Sequence, residues 1–100
     1  MNSIDAIPLK EKLDANEDIF LLDVREEFEH NDFNIGGELI PMNTVLEYTD
    51  RIPKDKPVIV YCAKGIRSGI VIQRLEEKYG YKNLLNLEGG IFAWKSATRV

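Results

Sequence analysis

Residues 57–69 read PVIVYCAKGIRSG, and this stretch decides the fold. Val58-Ile59-Val60-Tyr61 is an unbroken apolar run rich in β-branched residues. Such a run fits a strand buried on both faces of a parallel sheet, with Pro57 tolerated at its first residue. Next comes Cys62, the one cysteine among 100 residues. A helical pattern runs from about Arg67 to Tyr79, so the thiol stands where a buried strand turns into a helix. The turn carries two cations, Lys64 and Arg67, and one residue free to take positive φ, Gly65.

That placement argues for a reactive thiol. The first N–H groups of a helix have no partners within it, and the helix dipole favours negative charge there. A tight loop of successive N–H groups leading into the terminus makes an anion-binding nest. With two cations nearby, these effects should bring a cysteine pKa from about 8.5 into the range of roughly 3.5 to 7.5. The alternative is a small apolar residue closing a strand, as free cysteines often are. The flanking cations favour the nucleophile.

The loop Cys62-Ala63-Lys64-Gly65-Ile66-Arg67-Ser68 resembles the active-site loop of the rhodanese (thiosulfate sulfurtransferase) homology domain. Two further blocks resemble the same family: Leu22-Asp23-Val24-Arg25-Glu26 upstream, and Leu87-Glu88-Gly89-Gly90-Ile91-Phe92-Ala93-Trp94 near the C-terminus. They come in the family's order and span nearly the whole chain. One departure is local: Asn34-Ile35-Gly36-Gly37-Glu38 stands where the family often has His-Ile-Pro-Gly-Ala. The resemblance implies one rhodanese-like domain over residues 1–100, a three-layer α/β fold with a five-stranded sheet.

The remaining pattern supports the α/β class on its own terms. A short strand begins at Ile4, and Pro8 suits the first turn of a helix reaching about Ala15, with Leu9 and Leu13 inward. Ile19-Phe20-Leu21-Leu22 reads as a second buried strand ending at Asp23-Val24-Arg25. A short acidic helix follows through His30, then a loop from Asn31 to Gly37 and a strand at Leu39-Ile40. Asn43 is placed to cap a helix across Val45, Leu46 and Tyr48. The helix after the loop should turn Val71, Leu75 and Tyr79 inward, with Gly69 close to the sheet and Gly80 as its stop. Leu84-Leu85-Asn86-Leu87 gives a last strand, and Gly89-Gly90 leads into a helix carrying Phe92, Ala93 and Trp94. Alternating strands and helices imply right-handed βαβ units and a mostly parallel sheet covered on both faces. Ligands then bind beyond the carboxyl ends of the strands, where Cys62, Asp23, Arg25 and Gly89-Gly90 gather.

Composition narrows the function. Hydrophobic residues at 44% and charged residues at 30% describe a globular chain. The net charge of −4 argues against nucleic acid and gives no reason to expect a membrane surface. One cysteine and one histidine cannot build a Cys/His metal site, and no cofactor is expected. With neither a signal-peptide pattern nor a long apolar stretch, a cytoplasmic setting is expected.

The resemblance implies that Cys62 takes the outer sulfur of thiosulfate, with Ala63, Lys64, Gly65, Ile66, Arg67 and Ser68 binding the anion. The persulfide would pass its sulfur to cyanide or a thiol, thioredoxin among the possible acceptors. Asp23 and Arg25 are expected as an ion pair or a brace, Trp94 as a core anchor and His30 as a surface histidine. Two other readings stay open. A sulfur carrier loaded by a cysteine desulfurase would use the same persulfide. A cysteine phosphatase or arsenate reductase would want a longer oxyanion loop, whereas only four residues separate Cys62 from Arg67.

Overall fold

The computed structural model describes residues 1–98. Strand β1 (Ser3–Ile4) leads to helix α1 (Ala6–Asp14), strand β2 (Phe20–Asp23) and helix α2 (Glu27–Asp32). Strand β3 (Glu38–Leu39), two single turns of 3-10 helix (Val45–Glu47 and Thr49–Arg51) and strand β4 (Val58–Tyr61) follow. Helix α3 (Ile66–Tyr79), strand β5 (Leu84–Leu87) and helix α4 (Gly90–Thr98) complete the described chain. The five strands are all parallel, in the order β1-β5-β4-β2-β3. The expected α/β sheet, covered on both faces, is the observed one.

β4 is central because its residues can be buried on both sides. Val58 to Tyr61 pair with Phe20 to Asp23 of β2, and Val58 to Val60 with Leu84 to Asn86 of β5. Alternation along the strand then feeds two cores. Val58 and Val60 pack with Leu22, Val24, Val71, Ile72 and Leu75 beneath α3. Ile59 and Tyr61 pack on the opposite face with Leu9, Leu21, Leu87 and Ile91, beneath α1 and α4. Trp94 is partly buried against this second cluster.

Several boundaries differ from the expectation by a residue or two. α1 starts at Ala6, which leaves Pro8 in its first turn, where no intrahelical N–H is missed. β3 is Glu38–Leu39 rather than Leu39-Ile40. The helix expected behind Asn43 is absent, and two 3-10 turns take its place, entered from Thr44 and Tyr48. Thr44, Val45 and Thr49 are β-branched, and Pro53 keeps Ile52 extended, so this short segment cannot sustain an α-helix. Tyr79 is also not inward: it is 36% exposed. Eight residues after Val71, it has rotated by roughly 80° from the buried stripe.

Candidate active site

The β4-to-α3 turn places Cys62 at the carboxyl end of the central strand, and the residue is only 1% exposed. Gly65 adopts φ +94°, the left-handed conformation that lets the loop fold back on the sulfur. Three groups converge on Sγ: the Gly65 N–H at 3.1 Å, the Ser68 N–H at 3.3 Å and the Ser68 hydroxyl at 3.3 Å. Burial acts most strongly on the thiol and pushes its pKa up. The Ser68 hydroxyl and the N–H groups of Ser68, Gly65 and Lys64 together outweigh it, so the pKa lies below the ordinary cysteine value.

The loop's N–H groups are free to turn inward because its carbonyls are used elsewhere. Ile91 N–H donates to the Cys62 carbonyl at 2.9 Å, and Phe92 N–H to the Ala63 carbonyl at 3.0 Å. These donors belong to the first turn of α4, where N–H groups otherwise lack partners. The approach is so close that a Cβ on Gly90 would stand 2.5 Å from both the Cys62 and Ala63 carbonyl oxygens.

The cations behave differently from the expectation. Arg67 does not face the sulfur as a free charge: it forks onto the Glu29 carboxylate of α2 at 2.8 and 2.9 Å. That pairing holds Glu29 down at about 2, chiefly through the Arg67 hydrogen bonds. Lys64 is exposed, its ammonium 5.2 Å from the centre of the Phe92 ring. Hydrogen bonds rather than cations are thus the chief cause of the lowered thiol pKa. Ala63 lines a cleft of about 400 Å³ with Arg25, Phe28, Glu29, Phe33 and Phe92. Phe28, Phe92 and the loop residue Ile66 are 74%, 63% and 69% exposed.

Asp23 and Arg25 form a buried ion pair at the end of β2. Arg25 Nε donates to Asp23 Oδ1 at 2.9 Å and Nη2 to Oδ2 at 2.8 Å. Arg25 also reaches the Phe33 carbonyl at 2.6 Å, and the Tyr61 hydroxyl donates to the Gly36 carbonyl at 3.0 Å. Together they tie down the segment between α2 and β3. His30 is not the surface histidine expected: its Nδ1 lies 2.8 Å from Asp23 Oδ2.

Three partners escaped sequence reasoning. Glu29 is the N3 residue of a capping box with Glu26, a pattern visible in Glu26-Glu27-Phe28-Glu29, but its outer oxygen pair points at a loop 38 residues away. His30 was hidden by its acidic neighbours. Asn86 gave a signal as the one polar residue of an otherwise apolar strand, Leu84-Leu85-Asn86-Leu87.

Comparison with known proteins agrees with this geometry. The family model described as the Rhodanese-like domain matches residues 5–97. A sulfurtransferase of Allochromatium vinosum is 38% identical over 95 residues, covering 94% of this chain and 88% of its own. The thiosulfate sulfurtransferase GlpE of Coxiella burnetii is 39% identical over 80 residues, covering 79% of this chain and 74% of its own. Among solved structures, a rhodanese-like domain protein from Staphylococcus aureus superposes with a TM-score of 0.85. It is 34% identical and covers 94% of this chain and 91% of its own.

Proposed function

Since the chain belongs to the rhodanese-like domain family, we propose that it is a sulfurtransferase that carries sulfur as a persulfide on Cys62. The observation that carries this reading is the pair of backbone N–H groups, of Gly65 and Ser68, that converge on Sγ. They stabilise a thiolate in a buried position where water cannot, and the same N–H groups suit the terminal anion of a persulfide.

The reaction is a double displacement. The Cys62 thiolate attacks the outer sulfur of thiosulfate, a new S–S bond forms, the old one breaks, and sulfite leaves with the bonding pair. An acceptor thiolate or cyanide then attacks the outer sulfur and releases the Cys62 thiolate. A thiolate already ionised and a stable leaving anion need no general base. Lys64, Ala63 and Ile66 frame the entrance, and Arg67, locked to Glu29, fixes the loop's far end. Asp23 and Arg25 brace the neighbouring segment. A cytoplasmic setting, which keeps thiols reduced, suits this chemistry.

The exposed side chains of Phe28, Ile66 and Phe92 favour a second reading of the same persulfide. A protein donor such as a cysteine desulfurase, or a protein thiol acceptor, would cover them better than a small molecule. An oxyanion-cradling phosphatase is disfavoured by the loop's four intervening residues.

Intact mass after incubation with thiosulfate tests the proposal. The native protein is expected to gain one sulfur atom, removable by cyanide, while Cys62→Ser gains none. A serine variant that still transfers sulfur would sink the mechanism. No gain on the native protein would point to loading by a protein donor instead.

A further inference from the structure

Asn86 of β5 reaches two groups of the active-site loop. Its Nδ2 donates to the Gly65 carbonyl at 3.0 Å, and its Oδ1 accepts from the Ser68 hydroxyl at 2.6 Å. A carbonyl can only accept, so Gly65 fixes which way round the amide lies. The amide oxygen therefore faces Ser68, and the Ser68 proton points at Asn86 rather than at sulfur. That single proton has two acceptors within reach, Oδ1 at 2.6 Å and Cys62 Sγ at 3.3 Å. In the thiol form there is no conflict, because S–H donates to Oγ while O–H donates to Asn86. Once the thiol proton has left for solvent, sulfur and amide compete for the hydroxyl.

We propose that Asn86 is a positioning residue that governs how far the Ser68 hydroxyl serves the Cys62 thiolate, and so the pH at which Cys62 becomes nucleophilic. The proposal rests on the reading of Cys62 as the sulfur-accepting nucleophile. The charged groups packed around the loop have other partners. Arg67 is forked on Glu29 of α2, and Lys64 lies over Phe92. Lys95 of α4 lies over Phe33, Asp23 is shared by Arg25 and His30, and Glu88 before α4 is exposed. From the β1 side, Met1 meets Asn86 through its thioether at 3.8 Å. Ser68 itself is fully buried, so water does not supply the missing donor.

The test is the pH dependence of Cys62 alkylation by iodoacetamide in the native chain, Asn86→Ala, Ser68→Ala and the double variant. Asn86→Ala is expected to free the hydroxyl and lower the apparent pKa by about half to one unit. Alkylation on the acid limb would then rise roughly three- to tenfold. In the Ser68→Ala background the same substitution should not lower it. Any general loosening of the loop through the lost Gly65 bond acts in both backgrounds and cancels in the cycle. Equal shifts with and without Ser68 would overturn the proposal. Should Asn86→Ala fail to fold, Asn86→Asp keeps the size and the acceptor; it should raise the pKa more with Ser68 than without it. Equal rises would count against the idea. Alkylation requires no sulfur donor, so a protein that shows the coupling but takes no sulfur from thiosulfate would fail the functional reading alone.

Discussion

Gly90 has no room for a side chain. Its φ of +60° and the two carbonyl oxygens 2.5 Å from an added Cβ mean that Gly90→Ala must both strain the backbone and push the Cys62 loop aside. The expected loss is roughly 2–4 kcal/mol, with weakened sulfur loading as the loop moves. Gly80 makes the control: it shares a positive φ of +68° but nothing lies within 4 Å of its added Cβ. Gly80→Ala should lose only about 1 kcal/mol and load sulfur normally. Urea unfolding and intact mass on the two variants separate the effects; equal losses would mean that the carbonyl approach is not what demands glycine at position 90. At this scale the placement of Cys62 was plain in the sequence, because a strand-to-helix turn around a lone cysteine is a local pattern. Its supporting partners were not. Asn86, Glu29 and His30 gain their roles from side-chain pairs that span 18, 38 and 7 residues, and no local periodicity announces these.

Among the elements, α2 is tied to the site by a single ion pair, Glu29 with Arg67. It is six residues long and buries none of them fully, so packing alone gives it little hold. What secures it is the Glu26–Glu29 capping box, the fork from Arg67 and the contact of His30 with buried Asp23. Glu29 has its pKa lowered to about 2, with the Arg67 hydrogen bonds as the chief lowering cause. A depressed carboxylate contributes stability that is full above its unfolded value and is lost as pH falls through the folded one. Allowing for partial exposure, the pair should stabilise the native protein by roughly 2 kcal/mol near neutrality. Glu29→Gln should therefore lower the urea midpoint at about pH 7, and the gap to the native protein should shrink by about pH 2. A gap that stays constant with pH would assign the effect to lost packing instead. The 3-10 segment between β3 and β4 shows the limit of reading at this scale: Asn43 offered a cap, but the β-branched run behind it could not hold a helix.

In the whole molecule, one parallel sheet separates two cores, and the sheet's central strand delivers Cys62 to its carboxyl end. This much followed from apolar runs alternating with helical stripes, since burial on both faces leaves β4 and β2 no polar side. Leu75 of α3 is fully buried in the core on the α3 face. Leu75→Ala should cost about 2–5 kcal/mol by urea unfolding while sparing the sulfur-loaded mass shift, because it lies in the layer that carries the loop but not in the loop. A loss of loading without a loss of stability would contradict that separation. The junction between α4 and the loop has a consequence for slow motion. Backbone amides at a helix start commonly exchange with deuterium quickly, yet Ile91 and Phe92 are bonded to the Cys62 and Ala63 carbonyls. Their exchange is therefore a clock for detachment of the Cys62 loop: slow while the loop is seated, and quickened by any sulfur-loaded or partner-bound state that lifts it.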